Sequence, residues 1–94
     1  MNTDAIWTRI QQHAGEVFHQ RSGGEFTYAA HDNHVVFIRT PRTGNHLERS
    51  VYRSQFEKAL ERVPFPDTTV LQDLQAPSYL YGTLMDTRIR DNDW

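Results

Sequence analysis

The chain has no cysteine. A disulfide framework, thiolate catalysis and cysteine-held zinc or iron–sulfur centres are therefore excluded at the outset. Long apolar runs are missing as well. No window approaches the roughly 20 consecutive apolar residues of a spanning helix, and Met1-Asn2-Thr3-Asp4 lacks the basic and apolar regions of a secretory leader. The expectation is a soluble, cytoplasmic protein with no membrane partner. Excess positive charge is also absent, since Lys plus Arg number 10 against 12 Asp plus Glu, for a formal net charge of -2. Strong sequence-blind affinity for nucleic acid is not expected from such a balance. Repeats, heptads and low-complexity tracts do not occur. What the chain does have is 94 residues, 37% hydrophobic and 12% aromatic, which suffices for one modest core and predicts a single domain over 1–94.

Local patterning predicts an α+β fold. Thr3 or Asp4 is suited to cap a first helix with an apolar stripe of Ile6, Ile10 and Ala14 beside Trp7, and Gly15 is a natural stop. Val17–Gln20, Glu25–Ala30 and His34–Thr40 read as strands separated by turn residues, which makes a three-stranded antiparallel meander. A two-residue turn at Asp32-Asn33 pairs Ala30 with Val35, Tyr28 with Phe37 and Phe26 with Arg39 on the core face. A turn centred on Ser22-Gly23 adds Val17 and His19 to that face. Thr27, Ala29, Val36 and Ile38 then lie on the other, semi-apolar side.

Pro41–His46 breaks both periodicities and reads as a loop. Ser54-Gln55-Phe56-Glu57 fits a capping box, followed by Phe56, Ala59, Leu60 and Val63 at i, i+3, i+4 and i+7 and closed by Pro64 and Pro66. Asp67–Gln75 holds an edge strand or a helical turn at Thr68–Leu71. Pro77 and Ser78 introduce a last helix, Tyr79–Asp86, apolar over more than half its circumference. Gly82 inside it costs roughly 1 kcal/mol relative to alanine, which close approach by another backbone would offset. The expected architecture is an N-terminal helix, the meander, and two helices packed on the sheet.

The segments Gly23-Gly24-Glu25-Phe26-Thr27-Tyr28, Ser54–Glu61, and Ala76-Pro77-Ser78-Tyr79-Leu80-Tyr81 through Asp86–Arg90 resemble a small bacterial domain family of unknown function. The family pattern is a Gly-x-x-Phe-x-Tyr strand, a Ser-x-Phe-Glu-Lys-Ala-like helix and a Pro-Ser-Tyr-x-Tyr helix. The resemblance implies no activity, cofactor or site.

No nucleophile motif, phosphate-cradling glycine loop or paired-histidine zinc motif occurs, so neither catalysis nor a cofactor is expected. His31 and His34 flank the Asp32-Asn33 turn, but two histidines make too small a set for a metal and read as a polar hairpin tip. His13, Glu16 and His19 cluster without a nucleophile. Charge is unevenly spread. Six basic residues between Arg39 and Arg62 face three acids, a local +3, whereas the rest of the chain carries four basic and nine acidic residues, or -5.

Arg39, Arg42, Arg49 and Arg53 therefore form the nucleic-acid-binding candidate, running up to a helix N-terminus whose amides also attract anions. The leading expectation is a non-catalytic binding module that contacts DNA or RNA through these arginines. The alternative is a protein-interaction or regulatory domain that uses Tyr79, Tyr81 and Met85 of the apolar C-terminal helix, with a protein partner or a second copy as a homodimer. Tyr79, Tyr81 and Trp94 also offer rings for stacking on single-stranded nucleic acid.

Overall fold

The computed structural model describes residues 2–39 and 47–94. Helix α1 (Thr3–Gln12) is followed by strands β1 (Phe18–His19), β2 (Glu25–Ala30), β3 (His34–Arg39) and β4 (Leu47–Tyr52). Helix α2 (Arg53–Leu60), a 3-10 turn at Thr68–Leu71, α3 (Pro77–Leu84) and α4 (Thr87–Arg90) complete the chain. The class is α+β. The strands form one antiparallel sheet in the order β1-β2-β3-β4, so the meander has four strands where sequence patterning predicts three. Leu47-Glu-Arg-Ser-Val-Tyr shows no apolar alternation because β4 is an edge strand that buries only Val51. Its ladder is supplied by β3, from His34 opposite Tyr52 to Arg39 opposite Leu47.

The β2–β3 hairpin has the expected register, with Ala30 opposite Val35 and Tyr28 opposite Phe37. The β1–β2 register is shifted by one residue. Phe18 pairs with Phe26 and His19 with Glu25, because the turn closes as a three-residue loop. The Gln20 N–H donates to the Gly24 carbonyl at 2.8 Å, the Gly23 N–H to the Gln20 carbonyl at 2.9 Å, and Gly23 takes φ +97°. A left-handed residue at that place belongs to a three-residue hairpin loop. A one-residue slip exchanges the faces, so Phe18 is buried while Val17 is 47% exposed.

Phe18, Phe26, Tyr28, Val35, Phe37 and Val51 form the buried side of the sheet. The helices supply Ile6, Trp7 and Ile10 from α1, Phe56, Ala59 and Leu60 from α2, Leu80 and Leu84 from α3, and Ile89 from α4, all in one core cluster. Burying that apolar surface is the main favourable term in such a fold.

Two caps differ from expectation. Asn2 caps α1, its side chain accepting from the Ala5 N–H at 3.1 Å. At α2 the cap residue is Tyr52, and no side chain bonds the helix end, so Ser54 does not form a capping box. The chain passes directly from β4 into α2, and the Arg53 N–H donates to the Asn33 carbonyl at 2.7 Å. The C-terminal helix starts at Pro77, with proline at its first turn. At Gly82 a methyl group would overlap the backbone carbonyl oxygen of His19 and come within 2.9 Å of the Phe26 ring, so the close approach foreseen there is with β1.

Candidate nucleic-acid interface

Arg39 is the last residue of β3 and Arg49 lies in mid-β4, opposite Phe37. Arg39 faces Leu47, two residues from Arg49, which makes the two arginines diagonal neighbours about 7–8 Å apart at their backbones. By strand alternation both point to the helix-covered side of the sheet, at the end where that cover runs out. Arg49 is exposed and Arg39 half-buried. The guanidinium of Arg39 lies beside Gly24, where a methyl group would sit 3.2 Å from Nη2 and 2.6 Å from Oε1 of Gln20. Gln20 is itself buried and donates through Nε2 to the Ser78 hydroxyl at 3.1 Å. Nothing in the local sequence singles out Gln20; it adjoins Arg39 only because the β1–β2 turn places it there.

Arg53 does not join them. It opens α2 beyond the opposite end of β4, about 20 Å along the strand from Arg39 at ~3.3 Å per residue. There it pairs with Asp4 and, at 3.5 Å, with Glu57, while its guanidinium stands 5.5 Å from the Trp7 ring centroid. These contacts link α1 to α2. Arg42 lies outside the described residues.

The other described arginines are engaged. Arg9 bonds the Ile89 carbonyl at 3.0 Å and Asp93 at 2.7 Å. Arg62 binds both oxygens of Asp73 and the Val70 carbonyl. Arg90 donates to the Trp94 carbonyl. Arg21 stands over Tyr81 at 6.0 Å. Arg88 contacts Asp86, Glu16 and the Val17 carbonyl and lies 4.0 Å over the Phe18 ring. Among the described residues, Arg39 and Arg49 alone of the arginines meet no carboxylate, carbonyl or aromatic ring.

Tyr79 belongs to the same end. Its ring stacks on Phe37 at 5.0 Å and 12° and meets Phe26 edge-on at 5.0 Å. These are the two core rings that Arg39 and Arg49 flank in the register. Tyr79 is half-buried, and its hydroxyl bonds no described residue. Tyr81 and Met85 are half-buried too, Tyr81 packing on Phe65 at 6.2 Å. The apolarity of α3 is therefore spent largely on the core, which holds its Leu80, Gly82, Thr83 and Leu84. Trp94 donates its indole N–H to the Leu84 carbonyl at 2.9 Å.

The histidines serve local contacts. His31 and His34 stack ring on ring at 4.5 Å and 11°, and no group of three metal-ligating side chains gathers among the described residues. His13 bonds Glu16 at 2.8 Å. Hydrogen bonds from His13 and Arg88 hold the Glu16 carboxyl below its usual range. At Asp86 burial pushes the carboxyl up, but the side-chain and backbone hydrogen bonds of Arg88 outweigh it and leave the group below its usual range.

No family model, curated protein or solved structure matches the chain. The functional reading rests on the geometry of these residues.

Proposed function

We propose that this protein is a non-catalytic binding module that contacts nucleic-acid phosphates through Arg39 and Arg49. The observation that carries the reading is the division of the arginines. Those whose charge is taken up by carboxylates, carbonyls or rings hold elements together, whereas Arg39 and Arg49, diagonal neighbours in the β3–β4 register, have no described partner. A guanidinium with unoccupied donors is suited to phosphate oxygens in forked geometry. The rest of the molecule is acidic, so binding is weak and belongs at low salt.

Two phosphate contacts set a slope of log affinity against log salt of about -1.4 on a single strand or about -1.8 on a duplex. Changing Arg39 and Arg49 together to glutamine is expected to abolish that slope while leaving the far-ultraviolet circular dichroism spectrum unchanged. Fluorescence anisotropy titrations at a series of salt concentrations from about 50 mM upward read the slope. Absence of binding to every nucleic acid would sink the proposal.

A second reading, docking of a protein partner, is favoured by the side of the sheet away from the helices. Val17 is 47% and Tyr52 58% exposed there, with Thr27, Ala29, Val36 and Ile38 between them. In this form the alternative moves from α3, whose apolar residues are mostly core, to the sheet.

A further inference from the structure

The geometry points to single-stranded rather than duplex nucleic acid as the ligand of the Arg39–Arg49 site, with one unpaired base stacked on Tyr79. This rests on the reading above and adds the class of strand. Two observations converge on it. Tyr79 is half-buried and backed on one side by Phe37 at 5.0 Å and braced by Phe26 edge-on, which fixes the ring as a platform. Both arginines without described partners flank those two supporting rings in the β2–β3–β4 register, so phosphate ligands border the platform. One ring beside two guanidinium groups matches the combination used for unpaired bases. Stacking needs an accessible π-face, which a base inside a duplex does not offer.

The test uses the full chain and three fluorescein-labelled or competing probes: a 12-residue oligouridylate, a DNA duplex of equal length, and polyglutamate. The single strand is expected to bind tighter than the duplex, and polyglutamate not to compete. Tyr79→Leu should weaken single-strand binding on the order of 10-fold, since base–aromatic stacking contributes at about that level. Tyr79→Phe should bind as wild type, because it keeps the ring and loses only an unbonded hydroxyl. The Tyr79 ring-proton resonances should move upfield on titration of the wild-type protein, a readout that holds even if Tyr79→Leu fails to fold.

Equal affinity for duplex and single strand, or unmoved Tyr79 resonances with arginine-dependent binding intact, would overturn the single-strand inference and leave the phosphate reading standing. No binding of either nucleic acid would overturn both. Competition by polyglutamate at equal charge would overturn both in favour of an acidic protein partner.

Discussion

Gly82 shows how one residue sets the distance between two layers. On helix propensity alone, alanine there would stabilise α3 by about 1 kcal/mol. The added methyl would instead meet the His19 carbonyl, which is backbone and cannot swing aside, and the Phe26 ring. Forcing extra atoms into a packed core typically costs about 1–3 kcal/mol, so Gly82→Ala is expected to lower the melting temperature, read by circular dichroism. A rise would mean that α3 stands further from β1. Tyr28 does related work at the end of α1. Its buried hydroxyl donates to the Ile10 carbonyl at 2.6 Å, one of the last carbonyls of the helix, which would otherwise lack a partner. Burial accordingly raises the phenol above its ordinary pKa.

Among the elements, helices α1 and α2 differ in how they begin. The first turn of α1 is closed by the Asn2 side chain, whereas α2 is entered directly from a strand and held by the bond from the Arg53 amide to Asn33. Asn2→Ala should therefore cost about 0.5–2 kcal/mol, the usual penalty for losing a cap, and Ser54→Ala close to nothing. Urea denaturation of both variants checks the contrast, and a larger loss at Ser54 would place a capping bond there after all. Strand β4 goes unread in the sequence because an edge strand with one buried residue carries almost no hydrophobic pattern. Strand β1 is recognised as a strand, yet its faces are exchanged, because the loop between Gln20 and Gly24 is one residue longer than the turn that patterning suggests.

For the whole molecule, ion pairs reach across long stretches of sequence. Arg88 joins Glu16 across 72 positions, and Arg9 bonds the carbonyl of Ile89, so the first and last helices are fastened together. Asp86 and Glu16 share Arg88, and Asp73 is held by Arg62; all three carboxyls lie below their usual values. Asp67 is held low in the same sense by Thr69. A carboxylate depressed in the folded state contributes stability that is present above its unfolded pKa and lost as pH falls through its folded pKa. With ordinary values of 3.8 and 4.5, stability should hold from neutral pH down to about 5 and fall below about 4. Thermal melts across that range test it. Asp86→Asn retains a capping side chain for α4 but does not titrate, and should make the acid limb shallower; an unchanged limb would show that Asp86 takes no part in it.

The sequence by itself determines the α+β class, the β2–β3 register, the buried stripe of Phe56, Ala59 and Leu60, and the need for a close neighbour at Gly82. Each is a local property, set by turn residues or side-chain periodicity within about ten positions. Tertiary structure alone decides that Leu47–Tyr52 is a strand, that Val17 faces outward, that α3 spends its apolar residues on the core, and above all which arginines keep their charge free. Arg39, Arg49 and Arg53 are alike in a charge count. Arg53 meets Asp4, 49 positions away, while Arg39 and Arg49 come to the end of the sheet where no described carboxylate reaches them. Pairing between residues so distant is settled by packing, which no local pattern encodes.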